Sequence, residues 1–264
     1  MDMKLPGERG RIRVGAVSYL NTKPLVYGLE KGLLKDTVTL TYDYPGNIAK
    51  ALLNDEIDVG LVPVAIIPDM MEHHLVADYC IAADGNVGSV CLFSEVPLEN
   101  IQTVLLDYQS RTSVLLVQYL LKEYWKLNPV FKNAGEDFIS EIKDTTAAVI
   151  IGDRAFKQRK TSSFTYDLAG AWKEHTGLPF VFAAWISNKK LSPEFIEQFN
   201  SANEYGLQRI DEVVAANFCP DFDLTEYYTR YIQYRLNDEK RRGLQKFLAW
   251  CRHLKESRQP HEVL

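Results

Sequence analysis

Four short stretches of the chain gather hydroxyls, amides and carboxylates where they could bind or transform a small molecule. They are Ser18, Tyr19 and Asn21 in "SYLNTKP", Ser89 in "GNVGSV", Ser110, Arg111, Thr112 and Ser113 in "LDYQSRTS", and Gly152 with Asp153 in "IIGDRA". The third has the most explicit chemistry. Free N–H groups in a helix's first turn, two or three hydroxyls and a guanidinium make a receptacle for a carboxylate or phosphate. Charge-assisted hydrogen bonds there contribute about 1.5–3 kcal/mol each, against about 0.3–1 kcal/mol from the helix dipole, so an anionic small molecule is the expected ligand. Three of the stretches also have a purely structural reading: Ser110 or Thr112 as a helix cap, Thr22 as a cap with Pro24 in the first turn, Asp153 as the cap before "RAF". The co-location of four polar stretches favours a site. Asn21 is the residue of its stretch least needed for local structure, and its amide can donate to one oxygen while accepting from a hydroxyl. Asn21 and Asp153 are therefore the catalytic candidates, and Ser18, Tyr19, Ser89, Ser110, Arg111, Thr112, Ser113 and Gly152 the substrate-binding ones.

The elements that must position them follow from periodicity. "RIRVGAV", "KPLVYGLEKGLL", "TVTLTYDY", "GNIAKALLNDEI" and "DVGLVPVAII" read as β-α-β-α-β, the mark of a mostly parallel sheet covered on both faces. Strands at "LVADYCIAA" and "SVCLFS" lead into a second alternating unit: "NIQTVLLD", the helix "SRTSVLLVQYLLKEYW", "PVFKNA" and "AAVIIGDRAF". After "LPFVFAAWIS" come three expected helices, "SPEFIEQFNSANEYGLQRIDEVVAANF", "LTEYYTRYIQYRL" and "NDEKRRGLQKFLAWCRHL". Two lobes are implied, 1–93 with 181–264 returning to it, and 94–180. Extended crossings are expected near 88–94 and 180–186, with a ligand cleft between the lobes. In open α/β sheets ligands lie beyond the carboxyl ends of the strands, where all four polar stretches fall.

The rest of the chain narrows the function by exclusion. Thirty basic against 35 acidic residues give a net charge of -5, and no basic stretch tracks a phosphate backbone, so nucleic acid is not an expected partner. No apolar run approaches a membrane span and "MDMKLPGERGRIRVGAV" carries no apolar segment before the first strand, so a cytoplasmic protein without a membrane partner is expected. Cys80, Cys91, Cys219 and Cys251 are widely spaced and read as buried free thiols. His73 and His74 fall at an expected helix end, and no metal-ligand spacing, nucleophile elbow or dinucleotide fingerprint occurs. Trp250, Tyr227 and Tyr231 stand at helical spacing and read as packing. "KESRQPHEVL" reads as a frayed tail.

Taken in order, "VGAVSYLNTKPL", "DVGLVPVA", "GSVCLFS", "LDYQSRTSV", "IIGDRA" and "YDLAGAWKEHTGLPFVFAAW" resemble the chorismate dehydratases of the futalosine route to menaquinone, over nearly the whole chain to about residue 254. The resemblance implies a two-lobed type II periplasmic-binding-protein-like α/β fold, with mixed sheets and helices on both faces. It also implies a lyase that converts the dicarboxylate chorismate into 3-[(1-carboxyvinyl)oxy]benzoate without metal or other cofactor. The base in that reaction is either Asp153 or the substrate's own enolpyruvyl carboxylate. The related dihydroxynaphthoate synthase shares the fold but opens on a cysteine- and proline-containing motif, from which "SYLNTKPL" departs. A non-catalytic binding protein for a small carboxylate is the competing class, since fold does not fix function.

Overall fold

The computed structural model describes residues 10–107, 110–135 and 137–258. The first nine residues of the stretch read for a targeting signal, Tyr108 and Gln109 of "LDYQSRTS", and the tail from 259 lie outside the described residues.

The first unit alternates as its periodicity predicts: β1 (Ile12–Val17), α1 (Lys23–Glu30), β2 (Val38–Asp43), α2 (Pro45–Leu53) and β3 (Val59–Pro63). β1 pairs in parallel with both β2 and β3. "VGLVP" is buried at every position, as a strand covered on both faces must be. The apolar run leaves the sheet at Pro63: Val64–Asp69 is a 3-10 turn, and His74 opens β4 (His74–Ala83) instead of closing a helix.

The second unit contains β5 (Val90–Ser94), β6 (Thr103–Leu106), α3 (Arg111–Tyr119) running into a π turn, β7 (Val130–Asn133) and β8 (Thr146–Ile151). α4 (Asp153–Gln158), a strand the periodicity did not reveal, β9 (Phe164–Asp167), and α5 (Leu168–Thr176) complete it. The chain then enters β10 (Phe180–Ser187), α6 (Pro193–Leu207) and α7 (Ile210–Ala215). "LTEYYTRYIQYRL" is not the expected helix. Only α8 (Leu224–Glu226) and a π turn, Tyr227–Tyr231, are helical, and β11 (Gln233–Arg235) pairs antiparallel with β4 before α9 (Asp238–Arg258). An aromatic-rich segment beside an open sheet edge gains more from pairing than from helical spacing.

Two mixed sheets result, ordered β11-β4-β10-β3-β1-β2 and β7-β6-β8-β5-β9. β10 runs antiparallel to β3 and β4, and β5 antiparallel to β8 and β9. The chain changes sheet in residues 84–89 and 177–179, slightly before the crossings expected near 88–94 and 180–186, because those segments already pair as β5 and β10. Gly85 (φ 114) and Gly177 (φ 72) supply a left-handed residue to each crossing. Asp167 fastens the first crossing to the second lobe: its carboxylate accepts N–H groups from Val87 and Gly88 while capping α5 through Ala169 and Gly170.

All four cysteines are free thiols; Cys80, Cys91 and Cys251 are buried and Cys219 is half-buried. Burial pushes the Cys80 and Cys251 thiols up to about 12, which leaves them unreactive near neutral pH.

Candidate functional site

β1, β3, β6 and β8 direct their carboxyl ends at the gap between the sheets, and the loops that follow enclose one cavity. Tyr19, Asn21, Ser89, Ser110, Ser113 and Gly152 line it together, with apolar walls from Val17, Pro63, Val87, Ile151 and Phe182. Its volume is about 60 Å³, room for roughly two water molecules at about 30 Å³ each and less than drug-sized ligands occupy. The lobes are therefore shut on one another. Ala65 of the first donates its N–H to Thr112 Oγ1 of the second at 3.2 Å, the Leu20 N–H lies close enough to the Asp153 carboxylate to act on it, and the Tyr19 ring lies against Gly152.

Four expected site residues stand elsewhere. Ser18 is exposed beyond the end of β1. Arg111 opens α3 on its outer side and pairs with Asp69 at 3.8 Å. Thr112 is buried, and its hydroxyl is engaged by Ala65. Asp153 does not line the cavity; it is half-buried at its edge. A different guanidinium reaches this region: Arg154 pairs with buried Asp107 at 2.6 Å, and its charge acts on the Tyr19 hydroxyl.

The local chemistry of the lining groups is specific. Ser110 caps α3, its Oγ accepting from the Ser113 N–H at 3.2 Å, and the two hydroxyls lie 2.9 Å apart. The cap expected of this stretch is therefore present, and it leaves a pair of hydroxyls facing the cavity. Thr22 makes no side-chain cap to α1 and instead donates to Asn21 Oδ1 at 3.4 Å. Gly152 adopts φ 66 and ψ -152, a conformation that L side chains rarely reach, and its N–H is held by the Ser89 carbonyl at 2.8 Å. Burial raises the Tyr19 hydroxyl pKa, so it remains a neutral donor. Burial likewise raises the Asp153 carboxyl pKa, with the Leu20 N–H and the charge of Lys23 opposing; one of its oxygens is buried with no hydrogen-bond partner.

Two tyrosines that spacing presented as packing, or did not single out, support the site from behind. Tyr227 packs edge-on against Phe156 and also donates to Ser89 Oγ at 2.7 Å, and Tyr234 donates to the Asn21 carbonyl at 3.0 Å. Nothing local in the sequence signals either contact, since 138 residues separate Tyr227 from Ser89.

The sequence pattern of a family described as menaquinone biosynthesis matches residues 12–253. The chain belongs to that family. Among curated members of known name, the chorismate dehydratase of Thermus thermophilus is 27% identical over 260 residues, covering 89% of this chain and 93% of its own. The chorismate dehydratase of Campylobacter jejuni is 26% identical, covering 91% and 97%. A solved structure from Archaeoglobus fulgidus superposes with a TM-score of 0.74 at 14% identity, covering 95% of this chain and 99% of that one. The periplasmic aliphatic sulphonate binding protein of Escherichia coli gives 0.61 at 13%, with 94% of each chain covered. These two likenesses establish the fold: this menaquinone-family chain has a two-lobed periplasmic-binding-protein architecture with its cleft between the lobes. Among the described residues no helix is long and apolar enough to cross a membrane.

Proposed function

We propose that the cleft dehydrates chorismate to 3-[(1-carboxyvinyl)oxy]benzoate on the futalosine route to menaquinone. One observation carries the reading: in a chain that aligns nearly end to end with two chorismate dehydratases, Tyr19, Asn21, Ser89, Ser110, Ser113 and Gly152 converge on one cavity with hydroxyl and amide donors. In this reaction the carbon bearing the enolpyruvyl ether gives up its hydrogen as a proton. The electron pair left behind expels the neighbouring ring hydroxyl, which departs as water, and the ring becomes aromatic. The departing proton is vinylogous to the ring carboxylate, so donors gathered at that carboxylate lower the barrier by stabilising the charge that accumulates there. Ser110 and Ser113, at the amino terminus of α3, are suited to that carboxylate.

Asp153 faces Leu20 at the edge of the cavity instead of lining it, which favours the substrate's own enolpyruvyl carboxylate as the base. A base held within the same molecule has a large effective concentration. Asn21, at the other wall, orients the departing hydroxyl or the enolpyruvyl group. The small shut cavity means that the lobes part to admit substrate, turning at the two crossings. Four unpaired thiols fit a reducing compartment, in keeping with a cytoplasmic site of action. Incubating the purified protein with chorismate tests the reading: an aromatic product, followed by absorbance and identified by mass, is expected, and chorismate bound but unchanged overturns it in favour of a binding protein.

A further inference from the structure

The Tyr227 hydroxyl lies behind the cavity, and its partners give it a direction. It donates to Ser89 Oγ at 2.7 Å, with both residues fully buried. The Asn21 side chain lies close enough to act on the same phenol. Asn21 Oδ1 accepts from the Thr22 hydroxyl at 3.4 Å. Tyr234 holds the Asn21 carbonyl from behind. Because Ser89 accepts from Tyr227, its own hydrogen is left to donate elsewhere, and Ser89 lines the cavity.

We propose that Tyr227 is a positioning residue: its hydroxyl, donating to Ser89, fixes Ser89 as a donor aimed at a ligand oxygen in the cavity. The proposal rests on the dehydratase reading above. A hydrogen bond in a buried site polarises its acceptor, so the bond from Tyr227 strengthens Ser89 as a donor. Without the phenol, the Ser89 hydroxyl is free to rotate and to turn a lone pair toward an anionic ligand. The ring is held independently of its hydroxyl, edge-on to Phe156 at 5.0 Å and to Phe222 at 6.0 Å. It sits at the start of the π turn Tyr227–Tyr231, a local irregularity that often accompanies functional sites.

Tyr227→Phe keeps the ring and removes the hydroxyl. With chorismate as substrate, kcat is expected to fall about tenfold, equivalent to about 1.4 kcal/mol, with KM within about twofold and the unfolding midpoint close to the parent's. Ser89→Ala is expected to lose at least as much, and the double variant no more than Ser89→Ala alone, because the tyrosine acts through the serine. A Tyr227→Phe enzyme with the parent's kcat, or losses that multiply in the double variant, overturns the proposal. A parent protein that leaves chorismate unchanged overturns the dehydratase reading and the proposal with it, an outcome distinct from an active parent insensitive to Tyr227→Phe.

Discussion

The two sheets share one plan and equip it differently. In the first, β2-β1-β3-β10-β4 places an antiparallel strand between the third and the last; in the second, β7-β6-β8-β5-β9 does the same. Corresponding strand ends therefore face each other across the gap. After β1 the first lobe offers a tyrosine ring and an amide, Tyr19 and Asn21, and after β3 an apolar turn from Pro63. After β6 the second lobe offers two hydroxyls at a capped helix, and after β8 a left-handed glycine. Their carboxylates differ too. Burial of Asp58 in the first lobe is outweighed by Arg13 and by Lys189 at 2.7 Å, which hold its pKa well below the usual range, whereas Asp153 in the second keeps an unpartnered oxygen and a raised pKa. A shared frame thus fixes where groups stand, and on the function proposed above the residues at the strand ends divide the labour: anion binding on one wall, orientation on the other.

Replacing Asn21 tests that division most severely. Asn21→Asp places a carboxylate beside an anionic substrate, and turnover should fall on the order of 100-fold, about 3 kcal/mol, with unfolding unchanged. Turnover at the parent rate would leave the second lobe alone to account for the chemistry. Thr112→Val probes the bond between the lobes, since it strips the Ala65 N–H of its acceptor and penalises the shut form. Product affinity measured by calorimetry should weaken about tenfold, or about 1.4 kcal/mol; an undiminished affinity would separate closure from binding.

Ser110→Ala removes the cap that the second lobe has and α1 lacks. A loss of about 1 kcal/mol, seen as a midpoint about 2–4 °C lower in thermal unfolding, is expected, and an unmoved midpoint would mean that the cap serves only the ligand. The smallest effect is at Asp153. Its carboxyl pKa is raised on folding, so the stability associated with its protonated form is complete below the ordinary carboxylate range and is lost as pH rises through the folded value. Asp153→Asn mimics the protonated form and should raise the midpoint by about 1–2 °C near pH 8 and leave it unchanged in acid. A midpoint lowered near pH 8 would instead make the charged form the stabilising one.

Much of this is legible in the sequence. Alternation of strand and helix gave both units, and the rule that polar groups collect beyond strand ends selected Tyr19, Asn21, Ser89, Ser110, Ser113 and Gly152. What spacing could not convey was direction. Ser18 and Arg111 belong to the right turns and point out of them, one into solvent and one to Asp69. Thr112 is turned toward the other lobe, a contact between segments distant in sequence. Tyr227 and β11 were hidden for a related reason: an aromatic segment is equally compatible with a helix face and a sheet edge until β4 offers it a partner.

The strand exchange also bears on how the chain is made. Every strand of the second sheet comes from residues 90–167, so that sheet can assemble as soon as its last residue is available. The first sheet cannot, because β3 and β4 are separated by β10, made about a hundred residues later, and its edge awaits β11. During synthesis the first sheet waits with a gap at its centre while the second closes. Asn21 is then locked from behind by Tyr234, made 213 residues later, so the site is complete only after β11 has emerged.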